Sequence, residues 1–348
     1  MSHPIARCHA FDGLRFLAFA GVFVFHCDPR GLWMGAYGVH VFFALSGFLI
    51  TLVLHSAGDT NPVRTAGIFY ARRTLRIFPA YYTCLAVVLP LGTLAFPRSH
   101  VFYLFNVKIF LESLGGPIAS LRDWDSSGIH FWSLCVEEQF YLVYPLILLA
   151  VPRTHRRLAL AGLALTGTFS RFLISRLYPE TYYGQLLPVC MEYLAWGGFA
   201  ALVCERGFAP KISRATLAAG LAMTAALALL GIRPANALVQ QFAPGFWQTA
   251  RAVAFATLVA GIWVCRDSLV GRVLAWKPLA YLGRISYGLY LYHLFTWEAF
   301  ARIQSKWPAL SSVPPVAGRV ALTLGAAMLS WHLLEKPVGA LKDRFVFR

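Results

Sequence analysis

Charge is scarce in this chain, and acidic charge is scarcer still. Asp, Glu, Lys and Arg together make up 13% of 348 residues, with 15 acidic side chains against 31 basic ones. With 58% hydrophobic residues and a mean hydropathy of +0.60, that scarcity excludes an ordinary soluble enzyme. Any Cys-x-x-Cys spacing is also missing. The seven cysteines, Cys8, Cys27, Cys84, Cys135, Cys190, Cys204 and Cys265, are scattered, odd in number and mostly inside apolar stretches, which argues against a disulfide framework or a zinc site. No internal repeat is visible, so the paired halves on which many transporter folds rest are not there. No polar stretch is long enough for a soluble domain, and one integral-membrane domain over 1–348 is expected. A net charge of +16 could point to nucleic acid, but the basic residues sit in short loops and form no single patch.

What the chain does have is a succession of apolar segments about as long as a ~30 Å hydrocarbon core requires. Ten spans are expected, at 11–27, 36–55, 78–96, 130–151, 158–176, 187–205, 215–232, 248–265, 279–299 and 316–334. The fold class is therefore an all-α polytopic membrane protein. The first segment carries Asp12 and Arg15 and lacks a small-residue cleavage site, so it reads as a retained signal anchor. The segment 99–114 is apolar but short, and with Asn106 and Lys108 inside it reads as a re-entrant or interfacial helix. Loop charge supports this assignment. With the N-terminus inside, the inner loops hold 18 Lys and Arg, the outer loops 7 and the spans 6, which together account for all 31. A further span at 99–114 would place Arg153, Arg156, Arg157, Arg206, Lys211 and Arg214 outside. The tail residues Lys336, Lys342, Arg344 and Arg348 would go with them. Both termini are accordingly expected in the cytoplasm.

Ionisable groups within apolar segments are costly and read as functional by default. In AFDGLRFLAFAGVFVFHC, from Ala10 to Cys27, eleven helical steps bring His26 back near the face of Arg15, about 16 Å further along the axis. The plainer reading is an Arg that snorkels to the headgroups and a His that caps a helix. Arg72, Arg73 and Arg76 lead into the third span, whose first turn contains Pro79. Arg72 and Arg76, spaced i, i+4, suit forked contacts to phosphate, or simply hold the positive-inside signal. Glu137 and Glu138 lie about two turns into the fourth span and need a cation, a proton or water, or else form a structural ion pair. Ser46 and Gly47 make a small-residue site where another helix can approach closely. Tyr290 and His293 fall in the outer half of the ninth span, where an aromatic belt is the alternative. Arg171, Glu192 and Arg251 should find partners, and Glu335 with Lys336 reads as a helix-end anchor.

Six stretches occur in the order DGLR with Arg15 and His26, VFFALSGFLIT, FYARRTLRIFPAYY, FWSLCVEEQFYLVYPLIL, LGRISYGLYLYHLF and LEKP. In this order they resemble the integral-membrane acyltransferase 3 family from residue 10 to residue 337. The resemblance implies O-acylation, usually O-acetylation, of a carbohydrate or other hydroxylated acceptor by acyl-CoA, foremost acetyl-CoA, in the bacterial inner (plasma) membrane. Carried over, Arg15 and His26 are the essential pair, Arg72, Arg73 and Arg76 the donor side, and Glu137 and Glu138 the acidic partners. Some members carry a fused hydrolase-like domain; this sequence stops about eleven residues after LEKP, so the membrane module alone is expected. His26 is the candidate base, oriented by Glu137 or Glu138. Ser46, Tyr290 and His293 are candidates for contacts to substrate or oxyanion, and no metal is expected. Acylation of a small secondary metabolite and a proton-coupled transporter are the competing readings.

Overall fold

A computed structural model of the chain describes residues 8–28, 33–57, 61–94, 96–116, 128–205, 209–232 and 244–347. Arg206 and Arg348, both used in the loop-charge count, lie outside them. Among the described residues the regular structure is entirely helical. Among the described residues fourteen α-helices precede the C-terminal segment: α1 His9–Cys27, α2 Gly38–Ser56, α3 Pro62–Val88, α4 Pro97–Val101, α5 Phe105–Ser113, α6 Phe131–Ala150, α7 Arg156–Leu177, α8 Leu187–Cys204, α9 Pro210–Ile232, α10 Pro244–Val264, α11 Leu269–Leu274, α12 Lys277–Arg284, α13 Ser286–Lys306 and α14 Pro315–Ser330. Among the described residues, seven helical stretches are long and apolar enough to cross a membrane. They contain α1, α2, α3, α6, α7, α8 and α14.

Each expected apolar segment holds helix among its described residues, and two differ from expectation in more than the ends. The third helix starts at Pro62, where the Asn61 side chain accepts from the Val63 amide at 2.9 Å and Pro occupies the first helical position. It runs on to Val88 with Pro79 inside it. Arg72, Arg73 and Arg76 therefore lie within one continuous helix of 27 residues rather than in a loop before it. The ninth segment is two helices, α12 and α13, separated at Ile285. The stretch 97–113 forms α4 and α5, and the nine residues of α5 rise only about 14 Å, too little to span. Asn106 and Gln139 exchange hydrogen bonds at 2.9 and 3.2 Å, tying α5 to α6.

Helix α8 is central, packed against α2, α7 and α10, while α10 also meets α9. Small residues allow the closest of these crossings. A Cβ on Gly47 would lie 1.8 Å from the carbonyl oxygen of Leu194, and one on Gly197 would lie 2.0 Å from that of Ala44. Backbone thus meets backbone where α2 crosses α8, as expected from Ser46–Gly47. The fully buried Glu192 pairs with Arg171, which also donates to Thr249 at 3.0 Å, so one ion pair joins α7, α8 and α10. Arg251 instead lies over the Tyr37 ring, 4.4 Å from its centroid. On the other side α1 packs on α2 and α12, α13 on α14, and α3 on α6. These last elements carry the site.

Candidate functional site

Helix α6 repeats a polar residue every four positions: Ser133, Glu137 and Tyr141. That spacing puts all three on one face, and the face lines a cavity of about 100 Å³. Ser46 on α2 donates to Glu137 Oε1 at 2.7 Å, and the Tyr141 hydroxyl donates to Ser46 Oγ at 3.2 Å. Arg15 from α1, Arg73 and Arg76 from α3, and Ser286, Tyr287 and Tyr290 from α13 complete the polar wall. Glu138 also faces this space, and its buried Oε1 has no hydrogen-bond partner among the described residues. Donors are therefore scarce for the second carboxylate unless a ligand or water supplies one.

A second cavity, of about 370 Å³, is lined by Asp12, Arg15, Phe69, Arg72, Arg73, Arg76, Trp263, Lys342 and Phe347. Arg15, Arg73 and Arg76 line both cavities. Three guanidinium groups thus stand at the wall shared by the two. Arg15 also donates to Asp12 at 3.3 Å, one turn away, and Arg76 lies 5.7 Å from the Trp331 ring centroid. Arg72 lines only the larger cavity and is held from the C-terminal segment, donating to the carbonyls of Phe345 at 2.8 Å and Lys342 at 3.3 Å. Beyond α14 a π turn, Trp331–Glu335, places Glu335 inside the bundle, where it accepts from Ser330 at 2.9 Å. Glu335 is 5% exposed and interacts with the Arg76 charge, so it is a buried partner of the site and not a helix-end anchor. An extra backbone residue in that turn aims its side chain inward, a displacement that a regular helical period does not anticipate.

His26 lies elsewhere than expected. Its Nδ1 is 3.0 Å from Nε2 of the fully buried His293, and the His293 ring is 4.7 Å from that of His130 between centroids. Neither Glu137 nor Glu138 contacts His26, which corrects the expected imidazole–carboxylate pair. The reason is distance along α1. Arg15 and His26 are about 16 Å apart on that helix, and α6 brings its carboxylates to the Arg15 end. Tyr290 bridges the two groups: it lines the smaller cavity, its hydroxyl is 2.6 Å from Ser133 Oγ, and its ring is 5.6 Å from that of His293. The site is thus a polar column with arginines at one end, carboxylates in the middle and imidazoles at the other end. His130 and Ser133 belong to it and were not singled out from sequence, and Glu335 was read there only as a helix-end anchor. His130 and Ser133 stood in the segment already read for its glutamates, and only their position beside Tyr290 gives them weight.

Residues 9–335 match the family model described as an acyltransferase domain. The chain is 29% identical over 367 aligned residues to a putative peptidoglycan O-acetyltransferase of Bacillus subtilis, with 94% of this chain and 54% of that protein covered. It is 27% identical over 367 residues to a peptidoglycan O-acetyltransferase of Listeria monocytogenes, with 94% and 55% covered. Against an O-acetyltransferase of Staphylococcus aureus it is 29% identical over 351 residues, with 94% and 56% covered. The chain spans about half the length of these curated relatives. No solved structure matches it. The family match takes in nearly the whole chain and every residue of the column from Arg15 to Glu335, and the chain belongs to the acyltransferase 3 family.

Proposed function

We propose that this chain is a membrane O-acyltransferase that passes an acetyl group from cytosolic acetyl-CoA to a hydroxyl of a cell-wall carbohydrate or related glycoconjugate. The observation that carries the reading is that Arg15, Arg73 and Arg76 line both cavities. A phosphorylated donor has a place at the larger cavity, where guanidinium groups and Lys342 face it with forked and point-charge donors. The thioester arm then runs past the shared arginines into the smaller cavity. That space, about 100 Å³ against about 370 Å³ for the larger cavity, suits a short acyl group such as acetyl better than a long chain.

In the transfer, the acceptor oxygen attacks the thioester carbonyl, a C–O bond forms, the C–S bond breaks, and the hydroxyl proton goes to the departing thiolate; His26 is the proposed base, standing beyond Tyr290 at the imidazole end of the column, where acceptor and thioester must meet for it to act. Arginine and tyrosine donors facing the cavity steady the negative charge on the tetrahedral oxygen. With ten spans and both termini in the cytoplasm, the arginines face the side that holds acyl-CoA and His26 the side that holds the wall. The carbohydrate acceptor follows the relatives, whose names specify peptidoglycan or O-acetyl transfer.

The test is purified protein in lipid nanodiscs with radiolabelled acetyl-CoA and soluble wall oligosaccharides. Label is expected to move to the oligosaccharide, with weaker consumption of longer acyl-CoA. Folded protein that consumes no acyl-CoA with any acceptor would refute the proposal.

A further inference from the structure

Two imidazoles in hydrogen-bond contact must settle which nitrogen carries each proton, and here the surroundings decide it. The Nδ1 of His293 is 2.6 Å from the carbonyl oxygen of Tyr290, one turn earlier in α13. A carbonyl can only accept, so that nitrogen carries hydrogen. The Nε2 of neutral His293 then bears the lone pair. That lone pair faces Nδ1 of His26 at 3.0 Å, so His26 must donate from Nδ1. The proton-accepting atom of His26 is therefore Nε2. We propose that His293 is the positioning residue for His26, holding it in the Nδ1–H tautomer and in the orientation that makes it a base. The proposal rests on the reading of His26 as the base in acyl transfer.

The local packing supports a fixed rather than adaptable partner. His293 is fully buried, with Phe19 and Trp297 edge-on to its ring at 5.9 and 6.2 Å between centroids. His26, by contrast, sits half-buried at the last turn of α1, where a lone imidazole has several rotamers. Holding its Nδ1 removes both the rotameric and the tautomeric freedom. The task is that of the carboxylate in a Ser-His-Asp triad, performed by a neutral group. When His26 takes the hydroxyl proton at Nε2, the imidazolium keeps donating from Nδ1 to the same lone pair. When it returns the proton to the thiolate, the starting tautomer is restored. Nothing is left over, and His293 need never change its own protonation.

The two variants that read this are His293→Phe, which keeps a ring of similar size and deletes both nitrogens, and His293→Gln, which can return an acceptor oxygen to the Nε2 position. His293→Phe is expected to lower kcat by about a hundredfold or more, within the span of general acid–base contributions, with the KM for acetyl-CoA changed less than threefold. His293→Gln should recover at least tenfold of that loss. Equal kcat in the Phe variant and the wild type, or equal losses in Phe and Gln with equally lowered melting temperatures, overturns the proposal and leaves His293 a packing residue. A second measurement needs no turnover: solid-state NMR of histidine-labelled protein in lipid, with the His26 signals assigned by their loss in His26→Gln. An Nδ1–H signature for His26 that becomes a mixture in His293→Phe is expected, and an Nε2–H signature in the wild type overturns the proposal. If the tautomer is as stated but acetyl transfer is absent from the wild type, the functional reading fails and the positioning geometry stands.

Discussion

Arg73 lies over Tyr141, with its guanidinium carbon 4.7 Å from the ring centroid, and Tyr141 in turn donates to the Ser46 hydroxyl that serves Glu137. The cation thus sits between the Tyr141 and Phe69 rings, beside both cavities. A lysine there keeps the charge and loses both the stacking plane and the fork. For Arg73→Lys the KM for acetyl-CoA is expected to rise about tenfold, the equivalent of about 1.4 kcal/mol, with the KM for the acceptor little changed. Donor saturation curves for the purified variants decide it, and curves that superimpose on the wild type remove Arg73 from the donor site.

Arg72 is expected to behave differently from Arg76, although both stand on the same face of α3. Its guanidinium donates to two carbonyls of the C-terminal segment, whereas Arg76 faces both cavities. Arg72→Ala should speed proteolysis and hydrogen exchange in 341–347 and raise the donor KM less than Arg76→Ala does. Limited proteolysis beside a donor titration separates the two; an equal rise in KM with an unchanged tail shows that both arginines hold the donor.

His26→Ala should reduce transfer at least a hundredfold while the amount of protein in the membrane stays the same, because the residue is half-buried at a helix end. Arg15→Lys should restore little of what Arg15→Ala removes, since Arg15 faces both cavities and forked donation is what a lysine lacks. Turnover in His26→Ala within tenfold of the wild type rules out the base assignment.

The Arg171–Glu192 pair yields a prediction about stability alone. Removing one partner leaves a charge with 2% or less exposure uncompensated, and Arg171→Met is expected to destabilise the protein by about 3–5 kcal/mol. Adding Glu192→Leu should restore most of that, because the remaining charge goes too. Thermal unfolding in detergent checks it. A double variant as unstable as the single one shows that the hydrogen bonds to Thr168, Gln248 and Thr249 matter more than the charge.

Much of this architecture was readable because an apolar run of span length admits few alternatives to a helix, and the chain has such a run from Phe11 through α14. The start of α3 was not readable, since FYARRTLRIF is charged enough to resemble a loop; Ala, Arg and Leu favour a helix, and the Asn61 cap starts it well upstream. The shared face of Arg15 and His26 is a matter of helical period and was legible. Which group meets His26 was not. That depends on how α6 and α13 are staggered against α1, and a stagger of two turns exchanges a carboxylate for an imidazole. Glu335 was misjudged because a π turn shifts the register by a residue just where the helix seemed to end.

A protein with polar groups strung through its bundle from Arg15 to His26 faces a hazard unrelated to catalysis, the leakage of protons down the membrane gradient. Fixed positive charge at a constriction is a barrier that hydronium crosses poorly, as in pores that pass neutral solutes while rejecting protons. Arg15, Arg73 and Arg76, which line both cavities, supply fixed positive charge of this kind. If the same charge that is proposed to draw a phosphorylated donor also insulates the bilayer, Arg73→Ala proteoliposomes should dissipate an imposed pH gradient faster than wild-type ones even with no acetyl-CoA present.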